Sequence, residues 1–475
     1  MERKMNNPLL STGILTVVGF LILCAGAVFV PINRFAIGIV QILGGFALYF
    51  YAATRLAKRN WLDIRAVFAG VWICTTGLAA LRLTDYQEQW QTATWILIAG
   101  AYAVFQIGAA LGIHAGPKLF VSLRCKLSST GKLQLKLKEN RLFWVCVIST
   151  FIGLACFLVN AAIKGFIPCF SDDVSAYVNF YTKFHVFAVA STGAAGLCYY
   201  TLATQKLSKT RRIILGICLF YLVIAFPILV LSRGVFITAS LSLTVSIFYL
   251  HKKRFWVLLL CLASILGIYT VMSDLRGYSD TQLDNFFEPS DIVIVAPPAS
   301  TEPDEVPDEQ PQEEITFSLP PKVAFVYTYL TVSHDNFNEA VQNATQFAHG
   351  TKQLTPFNVI LRSQWVRDKA GSVPVYLVRE HLNTTNLIGD FYYDFAGFGV
   401  IACMLLWAFI FGLIQSMYTH GNGPFAMLAL GNTMTPVACC FFSSWLSTFT
   451  HWMLWGVALL LALFTCISFS RKGNE

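Results

Sequence analysis

The chain has 475 residues, of which 56% are hydrophobic and only 13% charged, and its mean hydropathy is +0.59. A soluble domain carries about 25% charged residues, so a water-soluble globular class is excluded. The net charge of +8 sits largely in short loops between apolar blocks, where it speaks of membrane sidedness and not of nucleic acid.

The apolar blocks have the length that crosses a bilayer, about 20 residues. The first, 9–30, follows Arg3 and Lys4 as a signal peptide would. No small-residue cleavage site comes after it and many further blocks do, so it reads as the first transmembrane helix. The pattern predicts an all-α polytopic membrane protein with about twelve spans, at 9–30, 35–53, 66–82, 93–113, 142–163, 184–203, 213–232, 235–250, 255–272, 396–416, 425–443 and 453–470. Basic clusters at 55–65, 118–141, 206–212, 251–254 and 471–472 all fall on one side if the N-terminus is cytoplasmic. The count is then even and both termini are cytoplasmic. The 13 cysteines show no metal-ligand spacing and mostly lie in apolar spans, where they act as small hydrophobes.

The outer side then holds one long loop, 273–395, between spans 9 and 10, within a single membrane-embedded domain covering 1–475. Residues 288–321 form an acidic, proline-rich insert, with nine acids and no Lys or Arg between Glu288 and Glu314. Such composition predicts disorder. After it, Phe337, Ala340, Val341, Ala344 and Phe347 follow helical spacing, Asn336 and Glu339 fit a capping box, and Gly350 fits a stop. A short amphipathic helix is expected there, on the membrane surface or over the mouth of the bundle.

Arginines recur on the side where basic residues are disfavoured. Arg233 lies in a tight outer turn, "LSRGVF", and Arg276, Arg362 and Arg379 lie in the long loop. A guanidinium there either snorkels to lipid phosphates or clamps a phosphate bidentately. At 383–400, "NTTNLIGDFYYDFAGFGV", Asp390 and Asp394 share one helical face beside Tyr392 and Tyr393. The acids either pair with the arginines or take a proton from a hydroxyl group. Arginines, acids and aromatics around an external pocket suit sugar transfer from a diphosphate. Candidate catalytic residues are Asp394, Asp390 and His381. Candidate substrate-binding residues are Arg233, Arg276, Arg379, Arg362, Asp335, Asn336, Tyr392 and Tyr393. No metal or cofactor is called for, because Arg can carry the charge that a metal would carry.

Several segments taken together resemble the oligosaccharide repeat unit polymerases, the Wzy-type O-antigen and capsule polymerases. These are "IKGFIPCFSDD", "LSRGVFI", "SDLRGYS", "VYTYLTVSHDNFNEAV" with "HGTKQLTPF", and the 383–400 stretch, in that order over roughly 140–415. Ala396 interrupts the family's "DFG", and the acidic insert departs from its usual loop. The resemblance implies a glycosyltransferase of the bacterial inner membrane that works at the outer, periplasmic face. It would join undecaprenyl-diphosphate-linked oligosaccharides, with membrane lipids, a chain-length regulator and a flippase as partners and no nucleic acid. Two alternatives are an O-antigen ligase of the same architecture and a polysaccharide or lipid transporter. The transporter would need polar or broken helices at mid-membrane, for which Gln106, Asn160 and Pro436 are modest candidates.

Overall fold

The computed structural model describes residues 8–84, 86–129, 133–135, 139–171, 179–251, 255–275, 292–294, 315–317, 320–379, 382–421 and 423–469. The helices used below are α1 (Pro8–Phe29), α2 (Arg34–Tyr51), α3 (Ile64–Leu81), α4 (Thr92–Ser129), α5 (Glu139–Lys164), α6 (Lys183–Thr204), α7 (Lys209–Leu229) and α8 (Arg233–Leu250). They continue with α9 (Phe255–Leu275), α10 (Pro321–Asn343), α11 (Gln364–Gly371), α12 (Gly389–Gly421), α13 (Pro424–Ala438) and α14 (Phe449–Cys466).

Each of the twelve expected stretches is helical over most of its length. Among the described residues nine helices, α1–α8 and α12, are long and apolar enough to cross a membrane. The chain is a multi-pass membrane protein. Helices α9, α13 and α14 occupy the other three expected positions, with shorter apolar runs or, in α13, 15 residues. Local signals set the starts: Asn33 caps α2, Asp63 caps α3 and Ser232 caps α8, each accepting a bond from a first-turn N–H.

Close packing in the bundle rests on small residues. A Cβ on Gly112 of α4 would lie 2.1 Å from the Phe409 carbonyl oxygen of α12, and one on Gly412 would lie 2.3 Å from the Ala109 carbonyl oxygen. The two backbones touch, as small-x-x-x-small seams allow. Near the other end of α3, Asp63 and Arg65 form a buried ion pair at 2.9 Å, and Gln415 donates to the same carboxylate at 2.7 Å. Arg65 therefore serves packing and is not a free loop charge.

Two short strand pairs lie among the described residues. Leu133–Leu135 pairs with Ile467–Phe469, placing the loop after α4 and the tail after α14 on one side of the bundle. Ile292–Ile294 pairs with Ile315–Phe317. The ends of the acidic insert are thus joined as strands, which corrects the expectation of disorder throughout 288–321. Residues 295–314 lie outside the described set.

The expected short amphipathic helix is also corrected. Helix α10 starts at Pro321, a residue suited to the first turn, and ends at Asn343. Asn336 is therefore mid-helix and caps nothing. Seven of its polar residues, Thr328, Thr331, Ser333, His334, Asp335, Asn336 and Asn338, are buried. The helix lies across the ends of α3, α4 and α12, over the bundle mouth.

Candidate functional site

Helix α10 separates two environments. One face, with Phe325, Val326, Tyr329 and Leu330, lines a cavity of about 440 Å³. The start of α8 supplies Ser232, Arg233 and Gly234, α9 supplies Ile265, Leu266 and Thr270, and Asn383, Thr384, Cys439, Phe441 and Phe442 complete the wall. Leu231 takes a left-handed turn (φ 49°), so Arg233 is the first residue of α8 instead of lying in the turn itself.

Arg233 is only 6% exposed. Its Nη2 donates to the Tyr329 hydroxyl at 3.0 Å, and its guanidinium carbon lies 5.0 Å from the Tyr329 ring centroid and 5.5 Å from that of Phe325. A cation at a helix N-terminus opposes the helix dipole. Two aromatic faces and a hydroxyl offset that cost. A snorkelling arginine would extend to the lipid surface, whereas this one is folded into a cavity. The cavity wall carries a guanidinium, the hydroxyls of Ser232, Thr270, Tyr329 and Thr384, and the Asn383 amide.

A second, almost wholly apolar cavity of about 590 Å³ runs between α2, α3, α8, α9 and α13. It shares Leu330 and Phe441 with the Arg233 cavity. Along α9 the apolar cavity is lined by Phe255, Leu258, Leu259 and Leu262, and the Arg233 cavity by Ile265, Leu266 and Thr270. A polar head space and an apolar lane therefore adjoin along one helix.

The other face of α10 docks on the ends of α3 and α4. Asp335 accepts from Gln87 Nε2 at 3.0 Å and from Trp90 Nε1 at 2.8 Å. Asn338 accepts from the Gln91 N–H at 3.0 Å and the Thr94 hydroxyl at 2.8 Å. His334 bridges the Thr75 hydroxyl (3.1 Å) and the Asn386 amide (3.3 Å). Burial pushes the Asp335 carboxyl up to about 7, although the Gln87 and Trp90 bonds and nearby Arg82 pull the other way. Burial holds His334 neutral, down to about 3. Arg379 lies over the Tyr86 ring at 5.9 Å, and burial raises that phenol to about 12, with the Asp335 charge adding to the shift.

Asn336 joins the two sides. Its amide donates to the Leu382 and Thr384 carbonyls at 2.6 and 2.7 Å and accepts from the Val378 N–H at 2.9 Å. The strapped segment carries Arg379 toward Tyr86 and sets Asn383 and Thr384 in the Arg233 cavity.

The remaining predicted residues are placed as follows. Asp394 accepts three backbone bonds, from Gly350 and Lys352 at 3.0 Å and from Gln353 at 2.9 Å, and so caps the turn Thr351–Leu354. Helical geometry breaks at Phe395 and Ala396, where Ala396 has φ 52°. The break follows Asp394, so Asp390 and Asp394 keep their one-turn spacing within one helical segment, while the chain after Ala396 leaves that face. Asp390 is half-buried in the first turn of α12. Tyr392 packs edge-on against Phe337 and Phe347, and the Tyr393 hydroxyl accepts from the Tyr376 N–H at 2.9 Å. Arg362 is exposed at the end of a short helical turn. Arg276 and His381 lie outside the described residues.

Sequence reading brought out Arg233, Arg379, Asp335 and Asn336, but it missed Arg82, Tyr86, Gln87 and Trp90. The loop holding them reads as an ordinary outer turn. Its one signal is the density of polar and aromatic residues in "RLTDYQEQW".

Residues 64–295 match a family model described as "Putative O-antigen polymerase". The match begins at α3 and runs past α9, so it covers Arg82, Asp335's partners Gln87 and Trp90, and Arg233, and it ends before α10. No curated protein and no solved structure matches the chain. Over those residues, just under half of its length, the chain is similar to the O-antigen polymerase family.

Proposed function

We propose that the chain polymerises oligosaccharide repeat units carried on undecaprenyl diphosphate, at the outer face of the bacterial inner membrane. The reading takes twelve spans, cytoplasmic termini and the α10 side facing outward. The observation that carries it is the adjoining pair of cavities. A lipid diphosphate needs an oxyanion clamp next to an apolar lane, and the Arg233 cavity adjoins the apolar one at Leu330 and Phe441.

In this reading the growing glycan's diphosphate sits against Arg233, with Asn383 and Thr384 on its oxygens, and the isoprenoid chain follows α9. Arg379 belongs to the same outer mouth. The acceptor hydroxyl oxygen bonds to the donor's anomeric carbon as the carbon–oxygen bond to diphosphate breaks. Undecaprenyl diphosphate leaves with the electron pair, stabilised by guanidinium. The hydroxyl proton passes to a base. Neither Asp335 nor Asp394 lines the Arg233 cavity: Asp335 is bonded to Gln87 and Trp90 on the other face of α10, and three N–H groups hold the Asp394 oxygens.

The test is the glycan pattern of cells lacking the gene. Loss of long chains with a single repeat unit retained is the expected outcome. Loss of every glycan from lipid A would indicate a ligase.

A further inference from the structure

Beside the Arg233 cavity lies a group of buried polar atoms that the reading above does not use. His451, at the start of α14, is 2% exposed, and neither of its ring nitrogens has a hydrogen-bond partner. Trp455 Nε1, one helical turn on and with its ring 4.8 Å from the imidazole, has none either. Gln353 Nε2 is also buried and without a partner, and its short turn packs against the 445–447 turn that precedes α14. Buried polar atoms are nearly always bonded, because leaving them bare is costly. Lying on neighbouring elements, these atoms are suited to hydrogen-bond the hydroxyl groups of a ligand.

The location says which partner. Trp445 lies 6.3 Å from the His451 ring, and a Cβ on Gly234, the residue after Arg233, would sit 3.6 Å from Trp445. One indole therefore separates the imidazole from the Arg233 cavity. That indole belongs to a three-residue turn and is held by a bond of 3.3 Å to the Cys439 carbonyl, so it can swing without unfolding a helix. Trp452 and Phe357, 4.7 Å apart, add apolar faces of the kind that sugars stack on.

We propose that His451, Trp455 and Gln353 form a subsite for the sugar joined directly to the donor diphosphate, reached when Trp445 moves aside. This rests on the reading of Arg233 as the diphosphate clamp. His451 and Trp455 would then supply hydrogen bonds to ring hydroxyls, while Arg233 holds the phosphates.

The test uses the full chain in lipid nanodiscs and two probes, bare undecaprenyl diphosphate and the same carrier bearing the host's repeat unit. Wild type binds the sugar-bearing carrier at least tenfold more tightly. His451→Leu and Trp455→Phe each erase that preference, with binding of the bare carrier unchanged. His451→Leu also raises the thermal midpoint, since it removes bare buried nitrogens; a lower midpoint would mean that the imidazole has a structural partner and would overturn the proposal. Equal binding of both probes by wild type would overturn it too, as would a preference that survives both substitutions. Failure of wild type to bind either carrier would instead overturn the polymerase reading itself.

Discussion

Asp394 and Gly350 are joined across 44 residues, the Gly350 N–H donating to the Asp394 carboxylate at 3.0 Å. Lys352 and Gln353 donate to the same group. Next to it the Ala348 and His349 N–H groups donate to the Tyr393 and Asp394 carbonyls at 2.8 and 3.0 Å. One side chain therefore fastens the 348–353 loop to the top of α12.

This fastening gives the first prediction. Asp394→Asn keeps the size but leaves one carbonyl oxygen to do the work of two. It should cost about 1–2 kcal/mol, seen as a lower thermal midpoint and faster proteolysis near Lys352. Full stability with complete loss of polymerisation would mean that the carboxylate acts chemically.

Ala396 gives the second. At φ 52° and ψ −146° it adopts a conformation in which glycine alone is free of strain. Ala396→Gly relieves strain worth about 1–3 kcal/mol, against about 0.4–1 kcal/mol of added unfolded-state entropy. The thermal midpoint should rise. A fall would show that the Ala396 methyl packs more than it strains.

Asp335 gives the third. Its folded-state pKa, about 7, lies above the ordinary value of 3.8. Between those values the unfolded chain loses the proton while the folded chain keeps it, so stability falls as pH rises from about 4 to about 7 and is level above. The full difference is on the order of 4 kcal/mol. Asp335→Asn should remove this component of the pH profile. Identical pH–stability curves for the two proteins would contradict the burial argument.

The bundle was legible because apolar blocks and alternating basic loops are strong, local signals. Helix α10 was not, because the face it buries is polar. Hydropathy cannot register a helix whose Asp335 and Asn338 are satisfied by Gln87, Trp90, Gln91 and Thr94 some 244 to 248 positions away. The candidate site was half legible. Arg233 stood out as a cation on the wrong side of a short turn, whereas Asp394 looked catalytic because its backbone partners are 41 to 44 residues distant. The break at Ala396 left only the faint trace of an alanine where a glycine is usual.

Arg233 gives the fourth prediction. Lysine keeps the charge, loses the guanidinium fork and fits the Tyr329 and Phe325 faces less well. Arg233→Lys should lower long-chain synthesis at least tenfold with protein level unchanged. A normal glycan ladder would return the residue to a packing role.

The central claim is that this chain alone joins carrier-linked units. The direct measurement supplies purified chain, in membranes, with undecaprenyl diphosphate bearing one repeat unit and nothing else. The account predicts a ladder of two, three and more units on a gel, with one free undecaprenyl diphosphate released per linkage. Units that stay single while the chain is folded and membrane-inserted would contradict it.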